Sequence, residues 1–227
     1  MNAKAPAFQE LSTARIAALP AERCLAVWPV ASLEQHGPHL PLGTDALILQ
    51  AIVEAVRLEL GENFPALFLP MLTLGKSPEH LSFPGTVSLR AATLLDICED
   101  VVSSLAAHGF RHFVFLNWHG GNTALLQSFG YDLRHKYQAT IYNIDLWASD
   151  FFDQAIANLF PQLVGKEVHA ASAEVAMMMH LYPHLVGDVP QVTAPQGFGQ
   201  PVHHSWASDD FHSQGVIGDP SQASPEK

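Results

Sequence analysis

Trp28-Pro-Val-Ala-Ser-Leu-Glu-Gln-His-Gly-Pro-His-Leu-Pro-Leu-Gly-Thr-Asp45 is the stretch on which the reading of this chain turns. An apolar run over 24–30, of the length and character of a buried strand, leads straight into it. Beyond Val30 the backbone is stiffened by Pro38 and Pro41 and bent at Gly37 and Gly43, and four potential ligands, Glu34, His36, His39 and Asp45, lie within twelve residues. An ordinary surface loop needs nothing of the kind, so the stretch reads as a metal-binding or catalytic loop at a strand end. Glu34 and His36, two apart, point the same way in an extended chain and can reach one site. Asp45 opens a helical pattern, and on spacing alone it serves as a helix cap about as well as a ligand. His39 is flanked closely by prolines, which suits a supporting or structural part better than ligation.

Outward from this stretch the chain repeats one plan. After Asp45, the residues Leu47, Ile48, Ile52, Ala55, Val56 and Leu60 recur at helical spacing, with Gly61 closing the last turn. A strand over 66–72 precedes Gly75-Lys-Ser-Pro-Glu-His-Leu-Ser-Phe-Pro-Gly-Thr86 and a helix over 91–108. A strand over 113–117 runs into Trp118-His119-Gly-Gly-Asn122, in which Asn122 suits a helix cap, and a helix over 123–137 follows. A fourth strand over 139–146 delivers Asp145 and Trp147 before a helix over 151–159. The helix over 170–181 carries Glu174, which on spacing alone is a solvated residue, since His169 lies five positions earlier and off its face. A short helix over 10–19, capped by Ser12 or Thr13, stands before the first strand. Alternating strands and helices predict an α/β domain with a largely parallel sheet whose functional groups gather beyond the carboxyl ends of the strands. The whole of 1–227 reads as a single domain, with an irregular tail from about 184.

Composition narrows the partners. Eleven basic against twenty-two acidic residues give a formal charge of −11, which argues against nucleic acid and against an anionic membrane surface. Cys24 and Cys98, the two cysteines, support neither a disulfide framework nor a cysteine zinc site. With no apolar run of about eighteen residues and no signal-like start, the expectation is a soluble cytoplasmic protein. A G-x-S-x-G elbow, a P-loop and a dinucleotide fingerprint are all missing, which leaves metal-assisted hydrolysis as the chemistry.

The segments Glu34-Gln-His36-Gly-Pro-His-Leu-Pro-Leu-Gly-Thr-Asp45, Phe83-Pro-Gly-Thr86, His119-Gly-Gly-Asn122 and His169 through Glu174, in that order, resemble the signatures of the creatininase family of metal-dependent amidohydrolases. The resemblance implies a three-layer α/β/α fold with a mostly parallel central sheet, and commonly a homo-oligomer, a hexamer built from dimers. It implies two divalent metal ions per chain, with zinc, manganese and iron all suited to mixed nitrogen and oxygen ligands. By position, Glu34, Asp45 and His119 would hold one metal and His36, Asp45 and Glu174 the other, Asp45 bridging. His169 would hand a proton to the leaving nitrogen. The implied reaction is hydrolysis of a cyclic or linear amide C–N bond in a small-molecule substrate. Creatininase itself carries a glutamate where this chain has Gly121, and a pair of tryptophans of which Trp147 matches one while Gly165 stands at the other. Trp147 and Gly121 are therefore the candidate substrate-binding positions, and creatinine itself is disfavoured. The rival expectation is a non-catalytic binding or assembly subunit that keeps a structural metal.

Overall fold

The structure, a computed structural model, describes residues 4–147, 149–165, 167–192 and 205–227. It divides into two compact units, each built from three stretches of chain. The first comprises the chain up to Ser32, Leu49–Lys76 and Leu89–Leu146; the second comprises Leu33–Ile48, Ser77–Ser88 and the chain from Trp147 onward. Of the irregular tail, residues 193–204, His203 and His204 among them, lie outside the described residues.

Among the described residues ten regular elements follow one another: α1 (Thr13–Ala17), β1 (Leu25–Val30), α2 (Thr44–Leu60), β2 (Ala66–Phe68), α3 (Ala91–Ala107), β3 (His112–Asn117), α4 (Gly120–Tyr137), β4 (Thr140–Asp145), α5 (Asp150–Leu159) and α6 (Ser172–Leu181). The cap expected for α1 is present, with Ser12 Oγ accepting from Arg15 N. Short 3-10 turns fill much of the remainder.

In the first unit the four strands form a parallel sheet in the order β2-β1-β3-β4. β1 and β3 are buried along almost their whole length, which is why they read as continuous apolar runs and not as alternating ones. β4, at one end of the sheet, alternates instead and leaves Tyr142 and Ile144 exposed. β2 is shorter than the apolar run suggests, because Pro70 has no N–H to donate. Pairing nevertheless resumes beyond it, with Leu72 N donating to Pro29 O and Ala31 N to Leu72 O. On α3, Leu94, Cys98, Val102 and Leu105 recur three to four apart and bury one stripe against Trp28, Phe110, Phe113 and Phe115. Each fully buried aromatic contributes about 2–3 kcal/mol. On α4, a Cβ at Gly130 would come within 2.9 Å of the Asn143 amide, so a larger residue there would have to push that side chain aside where the helix lies against β4. Cys24 and Cys98 are both free and buried, and burial raises both thiols, that of Cys98 to about 12.

Chain direction reverses across this sheet. From β1 the chain passes to β2 on one side, then crosses to β3 on the other, and in open parallel sheets ligands bind beyond the strand ends at such a switch point. The chain leaving β1 carries Glu34, His36 and Asp45, and the chain leaving β3 carries His119.

Among its described residues the second unit has isolated bridges in place of a sheet, including Leu33 with Val87, His36 with Leu40 and His169 with Ile217. Ile156 of α5 and Phe160, which caps its C-terminal end, pack with Leu163 against Ala173 and Ala176 of α6. Among the described residues no helix is long and apolar enough to cross a membrane.

Candidate metal centre

The second unit gathers five of the six residues singled out as ligands or proton carriers: Glu34, His36, Asp45, His169 and Glu174, all buried. A narrow hairpin orients the first two. Glu34 N donates to Leu42 O at 3.1 Å, and Gln35 N donates to Thr86 Oγ1 at 3.0 Å. Residues 34 and 36 thereby share one face, as their spacing predicts.

His36 is the electrostatic centre. Its Nδ1 lies 3.1 Å from the carbonyl oxygen of Glu34, which can only accept, so the ring hydrogen is assigned to Nδ1. Nε2 then directs a lone pair at two carboxylates, Asp45 Oδ1 at 3.1 Å and Glu174 Oε1 at 3.5 Å. Three electron-rich groups facing one another in a buried space need a positive charge between them. Burial is the largest single influence on His36 and opposes a charged ring, yet Glu174 and Asp45 outweigh it and hold its pKa well above the ordinary value. Glu174 moves the complementary way: burial raises it, His36 more than offsets that, and its pKa is depressed. A divalent cation supplies such a charge directly, and His36, Asp45 and Glu174 each offer a ligand atom within 4.8 Å of the others. The residues present therefore fit a metal.

Glu174 stands in the first turn of α6, and its burial corrects the solvated role that spacing alone suggests. Its charge partner His36 comes from a remote part of the sequence. Ala170, with φ +53°, turns its N–H onto Glu174 Oε2 at 2.7 Å. His169 precedes the helix proper, which removes the helical-face objection to its reaching the same place. Its Nε2 donates to Gln35 O at 2.7 Å and its Nδ1 faces Glu34 Oε1 at 3.6 Å. Burial, and then His36, lower its pKa. His39 donates from Nε2 to Ala170 O at 3.1 Å, and burial lowers its pKa to about 4.

Two residues that sequence reasoning left unassigned complete the group. Gln35, between Glu34 and His36, points to the opposite face, where its amide reaches His80 Nδ1 at 2.9 Å and Gly215 O at 3.0 Å while Oε1 accepts from Gly37 N at 2.9 Å. His80 stacks on His169 with ring centres 4.2 Å apart and turns Nε2 toward Glu34 Oε1 at 3.6 Å. The signal for both was available in their position inside the two motif-rich segments.

His119 and Gly121 belong to the first unit. His119 ends the turn after β3, and Asn117 clamps it on both sides, accepting from its N–H at 3.2 Å and donating to its carbonyl at 2.8 Å. His119 Nε2 donates to Lys76 O at 3.0 Å, an arrangement that fixes the ring. α4 starts at Gly120, so Asn122 is not its cap; the buried Asn122 side chain instead accepts from Lys76 N and donates to Ala31 O. Gly121 lies in the first turn of that helix. Trp147, in the second unit, is half-buried and meets Phe152 edge-on at 4.5 Å.

Comparison with known proteins agrees with the residue pattern. A family model described as "Creatininase: Creatinine amidohydrolase" matches residues 9–227. The chain is 32% identical over 190 residues to the creatinine amidohydrolase of Pseudomonas putida, covering 76% of this chain and 72% of that one. It is 31% identical over 188 residues to the mycofactocin precursor peptide peptidase of Mycobacterium ulcerans (strain Agy99), covering 81% and 68%. A solved structure titled "Creatininase Mn" superposes with a TM-score of 0.76 at 28% identity, covering 99% of this chain and 91% of that one, which bears out the three-layer α/β/α fold class. Matched by its family model over nearly its whole length and by relatives that share its fold, this chain belongs to the creatininase family.

Proposed function

We propose that this chain is a metal-dependent amidohydrolase that cleaves the C–N bond of a small cyclic or linear amide, working with two divalent metal ions. The observation that carries the reading is the convergence of Asp45 and Glu174 on the lone-pair side of His36. In this reading His36, Asp45 and Glu174 would hold one ion and Glu34, Asp45 and His119 the other, with Asp45 common to both sets. Divalent metals, when bound, bring the pKa of a water towards neutrality and polarise an amide carbonyl. The chain's own residues do the rest. His169, neutral and held through its Nε2 hydrogen by Gln35 O, would first accept a proton at Nδ1 from the attacking water and then pass it to the leaving nitrogen. The ligand carboxylates, excluded from solvent, would be kept ionised by bound cations. Manganese, named for one solved relative, is supported alongside zinc and iron.

A glycine at 121 and another at 165 leave creatinine a poor candidate, and a short peptide or a formamide is favoured. Interleaving of the two compact units along the sequence supports a single folding domain. We further expect a homo-oligomer, a hexamer by family likeness, in the cytoplasm. The test is reconstitution of metal-free protein with zinc, manganese or iron, counting ions per chain and assaying a panel of lactams, formamides and short peptides. About two ions and activity should appear together and be lost together in Glu34→Ala. Full turnover by the metal-free protein would refute the reading, and a saturated metal site inert to every amide would favour the non-catalytic subunit.

A further inference from the structure

We propose that His39 is a positioning residue for Glu174, acting through the main chain of Ala170. The Nε2 hydrogen of His39 donates to Ala170 O at 3.1 Å, and Ala170 N donates to Glu174 Oε2 at 2.7 Å. His39 itself is fixed, since Gly187 N donates to its carbonyl at 2.8 Å and the side chain is buried. Its Nδ1 has no hydrogen-bond partner among the described residues, so a neutral ring places its single hydrogen on Nε2.

Ala170 explains why such a support is needed. At φ +53° an alanine occupies the left-handed region, which is unfavourable for a residue with a Cβ. In that conformation its N–H meets Glu174 while its carbonyl meets His39. Without the imidazole donor the main chain at 170 relaxes to an ordinary conformation, the N–H swings away, and Glu174 loses the contact that turns its other oxygen, Oε1, to His36. Partners behind a ligand characteristically set metal affinity by 10–100-fold.

This inference rests on the metal-centre reading above, and the experiment separates the two. The dissociation constants of Zn(II) and Mn(II) are measured on metal-free wild type, His39→Leu and His39→Gln by competition with a chelator, with melting temperature recorded alongside. The expected result is a constant about 10–100-fold weaker in His39→Leu and near wild type in His39→Gln, whose amide reaches the Nε2 position. A folded His39→Leu with wild-type affinity overturns the proposal, whatever its melting temperature. Should His39→Leu not fold, His39→Asn, whose shorter amide leaves Ala170 O without its donor, decides by the same comparison. A wild type that binds neither ion overturns the metal-centre reading and this inference with it.

Discussion

His169 donates from Nε2 to the main-chain carbonyl of Gln35 at 2.7 Å, and this one bond turns its Nδ1 toward the Glu34 carboxylate at 3.6 Å. In the proposed reading, orientation and proton transfer fall to different nitrogens of one ring. His169→Gln keeps an N–H near the Nε2 position and deletes Nδ1. We expect it to fold and bind metal much as wild type does, with kcat reduced about 10²–10⁴-fold. An unchanged kcat on any substrate the wild type turns over would remove His169 from the chemistry.

Gly215 adopts φ +74°, and a Cβ there would sit 2.3 Å from Gln35 Oε1. Backbone strain and overlap with a buried amide act together in Gly215→Ala, since Gln35 cannot withdraw without abandoning His80 and Gly37. A loss of about 2–3 kcal/mol is expected, read by chemical denaturation. Wild-type stability would mean that the Gln35 network yields easily.

Asn117 satisfies both the N–H and the carbonyl of His119 and also accepts from Asn122 Nδ2 at 3.2 Å. Asn117→Leu leaves the His119 N–H without its Asn117 acceptor, at a cost of about 1–3 kcal/mol before relaxation, while the His119 carbonyl keeps Asn122 N and the Asn122 amide keeps Ala31 O. The expected outcome is a melting point lowered by several degrees together with weaker binding of one metal equivalent. Loss of stability with both equivalents bound normally would argue against His119 as a ligand.

Glu167 has a pKa near 7, raised chiefly by burial, although the N–H groups of Ala173 and Asp219 oppose the rise. Between the ordinary 4.5 and about 7 the folded protein keeps a proton that the unfolded chain has released. Stability of the metal-free protein therefore falls as pH rises through that window and levels off above it. Glu167→Gln, which mimics the protonated form, should match wild type near pH 4 and exceed it near pH 8 by about 2 kcal/mol, allowing for partial exposure. Parallel stability curves for the two proteins would contradict the assignment.

Much of the architecture could be read from the sequence because strand and helix lengths follow local pattern. β1 and β3 are apolar runs between turn residues, and Gly61 and Gly109, both at positive φ, stand just past the ends of α2 and α3. Errors arose where tertiary partners decide. The pattern predicts a helix over 123–137, but α4 starts at Gly120 and sends Asn122 to Lys76 and Ala31. The burial of Glu174 follows from His36, and Gln35 and His80 gain their parts only when the segments carrying Gly215 and His169 arrive. No spacing rule within one segment encodes such meetings.

The two buried thiols give the molecule a built-in clock. Cys98, with a pKa near 12, and Cys24, also raised, present almost no thiolate at neutral pH, so an alkylating reagent reaches them only when the unit containing the sheet opens. The candidate ligands Glu34, His36, Asp45 and Glu174 lie in the other unit. The rate of alkylation, measured with and without added metal, thus reports whether ion binding at those ligands slows the opening of the sheet, with no label attached and no residue of the centre changed.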